Sequence, residues 1–263
     1  KDEENLYVSG LLQLNSSLPL IKERENHKNI LKPKLSFKVA PSHTKDYRSE
    51  ENIFNVNNIF SINRISKNDT IEGGISLAYG ADYLIVDKDD NREILSFKVA
   101  NNFRLNENRD LSHSYQIGQK TSNFFTETIL NPNKFLSIKY NSSIKNNFEE
   151  ITYESLLTEL KFMNLTTSFN YLNENNTSKK NSYLSNTTSY NVNDSESLMF
   201  STRKDKTTDL TEFYKLVYQY KNDCLAASIE YNKDYYNDRD LKPEESIFLK
   251  LRIIPFGESS SPN

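Results

Sequence analysis

The sequence predicts an all-β protein: an antiparallel transmembrane β-barrel portion of about 12–14 strands. Three observations predict it. Apolar residues recur at every second position along most of the chain, overall hydropathy is low, and the connectors are polar with little glycine. Hydrophobic residues are 36% of the 263, aromatics 12%, and glycines number 6; the mean hydropathy is −0.73. The hydrophobic share lies below the roughly 45–50% of an ordinary globular domain, a figure that also counts glycine. A disordered chain would share the low hydropathy but not the wealth of Tyr and Phe. This composition cannot fill a core on both faces of every element. It suits a sheet with one apolar and one wet face.

Along the chain, strands are expected at Leu6–Leu14, Lys34–Ala40 and Phe60–Ile65. Ile71, Ile75, Leu77 and Tyr79 then alternate with Glu72, Ser76 and Ala78, and Leu95, Phe97 and Val99 with Ser96, Lys98 and Ala100. Leu136, Ile138 and Tyr140 alternate with Ser137, Lys139 and Asn141. Further strands are expected at Phe162–Tyr171, Tyr183–Tyr190, Leu198–Arg203, Leu210–Tyr220 and Leu225–Tyr231. In the last strand, Ser246–Ile254, the residues Ile247, Leu249, Leu251 and Ile253 alternate with Phe248, Lys250 and Arg252. Each run reads as a strand with one apolar and one polar face. Phe148–Phe162 fits both periods, and its strand neighbours favour a strand, because a lone helix would have little to pack against. Asn-, Asp-, Ser- and Lys-rich connectors separate the runs at Ser66–Thr70, Asp87–Arg92, Asn173–Asn181, Lys204–Thr208 and Tyr235–Glu244. No shift in composition divides the chain. Residues 1–256 read as one barrel domain and 257–263 as a polar tail.

Several function classes are disfavoured. With 33 Lys+Arg against 36 Asp+Glu the net charge is −3, so no basic field exists to hold a nucleic acid. One Cys and three His exclude an internal disulfide framework and a zinc cluster, and neither metal nor cofactor is expected. No apolar stretch reaches the ~18 residues of a membrane helix. The chain opens on Lys1 without a Met and reads as a mature portion or a fragment. Glu149/Glu150 and Asp238/Asp240 read as solvated loop carboxylates. His27, His43 and His113 lie in connectors with no nucleophile signature around them. No enzyme activity is expected. A sandwich would bring frequent Gly and tight two-residue turns, and a propeller a repeat of about 40 residues; neither signal stands in the sequence. A membrane barrel turns its apolar face to lipid and its polar face to a wet lumen. Interfacial girdles then account for Tyr79, Tyr83, Tyr140, Tyr171, Tyr190, Tyr218, Tyr220 and Tyr231 near the ends of the runs.

The last third carries a further signal. Tyr218–Cys224 is a strand ending in a Tyr-x-x-Asp-Cys turn, followed by a strand ending at Tyr231, the charged loop Lys233–Pro243 and a final strand. Upstream stand Leu31–Phe37 with its Pro33, then Pro41, Asn58–Arg64, Asp69–Gly74, Tyr79-Gly80 and Tyr115–Gln119. In order and spacing these resemble the barrel of the LptD family, outer-membrane lipopolysaccharide-assembly proteins, with Tyr115–Gln119 matching a strand end that carries a Gly-Gln pair. The family often has two adjacent cysteines in the turn, where this chain has Cys224 alone, and Lys120-Thr121 stand where aromatics often follow.

The resemblance implies the C-terminal half of the barrel, an incomplete barrel or open curved sheet, in the cell outer membrane. It implies a translocon that inserts lipopolysaccharide into the outer leaflet, with an LptE-like lipoprotein plug and periplasmic bridge proteins as partners. Cys224 becomes a candidate for a disulfide to a periplasmic domain outside this chain. The closing strand, Ser246, Ile247, Phe248, Leu249, Lys250, Leu251, Arg252, Ile253 and Ile254, becomes one side of a lateral exit. Lys98, Lys139, Lys215, Lys250 and Arg252 face the lumen, either towards anionic head groups or paired with acids such as Glu230. A general porin and a soluble periplasmic β-scaffold are the alternatives.

Overall fold

In a computed structural model, residues 10–41, 44–49, 53–66, 71–175, 180–235 and 243–253 are described. Among them are fourteen strands: β1 Leu12–Ser17, β2 Leu20–Glu23, β3 His27–Ala40, β4 Gly74–Asp87, β5 Glu93–Arg104, β6 Phe124–Asn133, β7 Leu136–Ile144, β8 Ile151–Phe162, β9 Leu165–Asn175, β10 Lys180–Asn191, β11 Glu196–Asp205, β12 Leu210–Lys221, β13 Leu225–Asp234 and β14 Glu244–Ile253. They form one 14-stranded sheet in sequence order, with β1 and β2 both on β3 and with β14 ending the order beside β13. The strand pairs β1–β3, β2–β3, β3–β4, β4–β5, β5–β6, β10–β11, β11–β12, β12–β13 and β13–β14 are antiparallel. The ambiguous segment Phe148–Phe162 is strand β8 from Ile151 onward. Ile254 and the tail 257–263 lie outside the described residues. Chain contacts group the molecule into two compact units. The first is Lys1–Pro132, Ile138–Ser155 and Asn173–Lys180; the second is Asn133–Ser137, Leu156–Leu172 and Asn181–Asn263.

In the first unit the pleat sorts side chains as the period-two pattern predicts. On β5, Phe97 is exposed while Ser96 and Ala100 on the other face are buried. On β3, Leu35 and Phe37 are exposed while Ser36 and Lys38 are buried. β1 and β2 share one register along β3, from Leu12↔Val39 to Ser17↔Lys34 and from Leu20↔Leu31 to Glu23↔Lys28. The gap between them is Leu18-Pro19. Leu18 N–H still donates to the Pro33 carbonyl at 3.2 Å, but Pro19 has no N–H, so this strand breaks there.

The polar face of this unit is not wet throughout. Non-strand residues Tyr47, Phe54, Val56, Ile59, Ile65, Leu111, Tyr115 and Ile117 pack into a core with Ala78, Ala100 and Phe125 of the sheet. Tyr115 bridges the two sides, with its ring centroid 6.2 Å from that of Phe54, edge-on, and 6.0 Å from that of Phe125. Within the sheet β4 and β5 approach closely at Gly80, where a Cβ would lie 2.2 Å from the Val99 carbonyl.

This packing corrects two expectations. Phe60–Ile65 is a series of turns rather than a strand, because Ile59 and Ile65 turn into the core. Tyr115–Gln119 is not a strand end: Ser114–Gln116 is a 3-10 turn, and Tyr115 and Gln116 both take positive φ, which no strand tolerates.

The second unit is built from plain hairpins. In β12–β14, Leu216, Ile229, Leu249, Leu251 and Ile253 are exposed on one face, and Lys215, Glu230, Lys250 and Arg252 share the other by register. Phe162–Tyr171 is not one strand. β8 ends at Phe162 and β9 begins at Leu165, with Met163 at φ 51° in the turn. This and the turn between Asn133 and Leu136 are two-residue connections, which the near-absence of Gly had argued against.

Asn and Asp replace Gly in the connectors by bonding the turning backbone themselves. Asn133 Oδ1 accepts from the N–H groups of Phe135 and Leu136, both at 2.9 Å. Asp205 Oδ1 does the same for Thr207 at 2.6 Å and Thr208 at 3.0 Å. The tyrosines are less terminal than expected. Tyr79 and Tyr83 stand mid-strand opposite Leu35 and Leu31, because β4 runs on through Leu84, Ile85 and Val86 to Asp87.

The register makes a direct prediction. Leu251→Arg puts a charge on the lipid side, which costs about 2–4 kcal/mol at mid-bilayer. Lys250→Leu leaves Glu230 bonded to Lys215 and Asn232. Leu251→Arg is therefore expected to reduce heat-modifiable, membrane-inserted protein more than Lys250→Leu; equal losses would contradict the facing.

Candidate functional site

The polar face carries the charge. In the first unit, Glu127 on β6 lies opposite Lys98 on β5 in register. Lys98 Nζ donates to Glu127 Oε1 at 2.7 Å, and Lys139 on β7 reaches Oε2 at 2.9 Å. Lys98 also reaches Asn57 Oδ1, in the cap, at 3.3 Å. In the second unit, Glu230 on β13 receives Lys215 from β12 at 2.5 Å, Lys250 from β14 at 2.7 Å and Asn232 Nδ2 at 3.0 Å. The same device occurs in both: a carboxylate on the middle of three strands is held by lysines of the two flanking strands. Four of the five basic residues expected on this face are thus brought together in pairs around two acids. Arg252, exposed on β14, is placed on the same face by register opposite Ala226.

A third cluster was not anticipated. Glu72, expected as an ordinary residue of the polar face, lies just before β4 and meets three cations, Arg64, Arg104 and Lys38, none of the four more than 4% exposed. Arg64 clasps both Glu72 oxygens, its Nε at 2.5 Å from Oε2. Arg104 bonds Oε1 and the Gly73 carbonyl. Lys38 Nζ reaches Oε2 at 3.3 Å and the Ile62 carbonyl at 3.0 Å. Arg64 goes on to Asn102 Oδ1 at 2.8 Å and Ser76 Oγ at 3.2 Å. Gly74 takes φ 97° beside it, and a Cβ there would meet Arg104 Nη2 at 2.9 Å. The cluster therefore fastens the cap, through Arg64 and the Ile62 carbonyl, to β3, β4 and β5. Its one sequence signal was that Arg64 and Glu72 both stand in the stretches carrying the family resemblance.

Burial alone would raise the Glu72 pKa, but the guanidinium of Arg64, Lys38 and Arg104 outweigh it and hold the carboxyl well below its ordinary value. On the surface of the cap, Arg48 bonds the Asp46 side chain and lowers its pKa to about 2.

The remaining expected residues are scattered. Cys224 is a free, half-buried thiol in the β12–β13 turn. That turn is closed by Asn222 Oδ1, which accepts from the N–H of Cys224 at 3.0 Å and of Leu225 at 2.8 Å. Glu150 bonds Lys145 at 2.5 Å, and Glu149 bonds Asn147 at 2.5 Å, so the adjacent carboxylates are separately engaged. His27 opens β3 and His113 precedes the 3-10 turn. His43, Asp238 and Asp240, and most of the charged loop after β13, lie outside the described residues.

An all-β sheet with one exposed apolar face and a charged opposite face fits a membrane β-barrel. The family model for LptD, described as LPS transport system D, matches residues 1–220. The chain belongs to this family, whose work is lipopolysaccharide transport at the outer membrane. No curated protein matches it significantly.

Replacing Glu72 tests the buried cluster. Glu72→Gln leaves three buried cations without an anion, and removing one partner of a buried pair costs about 3–5 kcal/mol, read as a lower melting temperature in detergent. The pH dependence has a definite sign. A depressed folded pKa contributes stability that is complete above the ordinary value of 4.5 and is lost as pH falls below it. The gap in melting temperature between wild type and Glu72→Gln should narrow on acidification from pH 7 to below 4.5. A constant gap would contradict the assigned ionisation.

Proposed function

We propose that this chain forms part of the outer-membrane translocon that inserts lipopolysaccharide into the outer leaflet, residing in the cell outer membrane and doing no chemistry on its substrate. The observation that carries the reading is the sorting of strands such as β3, β5 and β12–β14 into an apolar and a polar face, in a chain of a lipopolysaccharide-transport family. An amphipathic glycolipid needs both surfaces. Its sugars travel along the polar face, where Lys98, Lys139, Lys215 and Lys250 can exchange an acid partner for an anionic head group and the exposed Arg252 can meet one directly. Its acyl chains leave sideways into lipid.

For that exit a seam in the barrel must open. β14 is the strand proposed for one side of it, since its neighbour in the sheet order is β13 and its outward residues Ile247, Leu249, Leu251 and Ile253 are the most exposed apolar run, at 73%, 67%, 66% and 79%. Partners on this reading are an LptE-like lipoprotein plug and periplasmic bridge proteins acting through an N-terminal periplasmic domain. Cys224 is assigned a disulfide to that domain, supported by its partly exposed place in the β12–β13 turn and by the oxidising compartment.

Two experiments test this reading. A disulfide locking Leu249→Cys or Leu251→Cys to the first strand of the full-length barrel is expected to stop delivery of lipopolysaccharide to the cell surface; continued delivery would remove the lateral-exit role from β14. For Cys224, full-length protein should migrate differently with and without reductant, and Cys224→Ser should abolish the difference. Unchanged mobility of the wild type would leave Cys224 a simple turn residue.

A further inference from the structure

Within the first unit a polar cavity of about 300 Å³ lies beside the 3-10 turn, and Gln116, Asn123, Lys145, Glu150, Thr152 and Lys180 are among the residues that line it. Its volume is at the lower end of ligand pockets, roughly 300–1,000 Å³, enough for a sugar ring or two. Three observations coincide here. The first is unmet hydrogen bonding. Asn123 is fully buried, and its Nδ2 donates to Ser143 Oγ at 2.9 Å and Thr152 Oγ1 at 2.8 Å, yet its Oδ1 has no partner. Gln116 Oε1 is buried and without a partner as well. Buried polar atoms are seldom left so, and two in one cavity point to a ligand that brings donors.

The second observation is backbone conformation. Tyr115 and Gln116 are consecutive non-glycine residues at φ 60° and 56°. Such strain is held by surrounding structure and collects at ligand clamps. Here the Phe54 and Phe125 contacts of Tyr115 hold it, and so does the Asn123 N–H, which donates to the Tyr115 carbonyl at 2.9 Å.

The third is charge. Glu150 is already engaged by Lys145 at 2.5 Å and by Asn175 Nδ2 at 3.1 Å. Lys145 and Lys180 against Glu150 leave the lining one positive charge in surplus.

We propose that this cavity is a saccharide-binding subsite that takes a hydroxyl-rich sugar unit bearing a carboxylate or phosphate. Hydroxyls donate to Asn123 Oδ1 and Gln116 Oε1, and the anionic substituent sits towards Lys180. An apolar ligand would leave both amides unanswered, and a bare anion brings no donors to them. The inference rests on the transport reading only for the source of the sugar, the glycan part of lipopolysaccharide.

The test uses full-length protein in detergent. The probe is the oligosaccharide of lipopolysaccharide freed of its acyl chains, with a neutral oligosaccharide of equal length beside it. Saturable binding of the acidic probe is expected, weaker binding of the neutral one, and an increase in Kd of about tenfold or more in the Gln116→Leu/Lys180→Gln double variant, the scale of one lost charge-assisted hydrogen bond. Gln116 is half-buried and Lys180 exposed, so heat-modifiable migration should be retained in the variant. Absence of binding by wild type, or equal affinity in the variant, would overturn the subsite. Depletion of the protein in cells separates the two claims. Lost surface lipopolysaccharide without probe binding refutes the subsite alone, whereas probe binding with undiminished surface lipopolysaccharide refutes the transport reading alone.

Discussion

The governing constraint is that hydrocarbon offers no hydrogen-bond partners, so a strand crossing it must find them all in its neighbours, at several kcal/mol for each group left out. Everything else in the sheet answers to that. Strands pair from one hairpin to the next over as many as fourteen residues, as in β3–β4. Once the ladder is set, the pleat decides what each side chain meets. Leucine, isoleucine and aromatic residues then belong on the side that meets lipid. On the other side polar groups meet water or one another. Glu127 and Glu230 show how: each has lysines on both flanking strands, so that no acid depends on a single long side chain.

The cap in the first unit changes the energetics of that polar face. Where turns rich in Ile, Phe and Tyr lie over β4–β6, the face is dry, and the charges beneath are removed from water. A buried charge is tolerated only when paired and hydrogen-bonded. Glu72 meets that requirement through Arg64, Arg104 and Lys38 together, and in doing so joins a loop to three strands. The polar cavity beside Gln116 and Asn123 belongs to the same unit, where the Tyr115 turn is wedged between Phe54 and Phe125. Tyr115 thus packs into the cap and lines that cavity as well.

Most of the sheet was legible because its information is local. Alternation over six or more residues, as at Leu95–Ala100 or Leu225–Tyr231, has a single regular solution, and Asn- and Asp-rich connectors close by bonding their own backbones. The cap was not legible for the same reason. Phe60–Ile65 alternates well enough to pass for a strand, and only its burial against Ala78 and Ala100 separates it from one. Nor does spacing along the chain disclose that Arg64, thirty-eight positions before Asn102, meets it across the sheet. Of the charged residues, Lys215, Glu230 and Lys250 could be placed on one face by parity. Glu72 could be given a face but not its surroundings, since these come from loops without a period. Tyr115–Gln119 failed at the dihedral level, because two successive left-handed residues leave no mark in side-chain hydrophobicity.

The central claim is that these strands meet lipid with one face while the other is polar and partly capped. Spin labels placed singly along β5 of the full-length protein in bilayers test it most directly, by their collision rates with oxygen, which concentrates in lipid, and with a water-soluble nickel chelate. Labels at Leu95, Phe97 and Val99 should show high oxygen and low nickel accessibility. Those at Ser96 and Ala100, buried beneath the cap, should be low for both, and the label at Lys98 should favour nickel over oxygen. A profile without period two, or one with Leu95, Phe97 and Val99 open to the nickel chelate, would contradict the account.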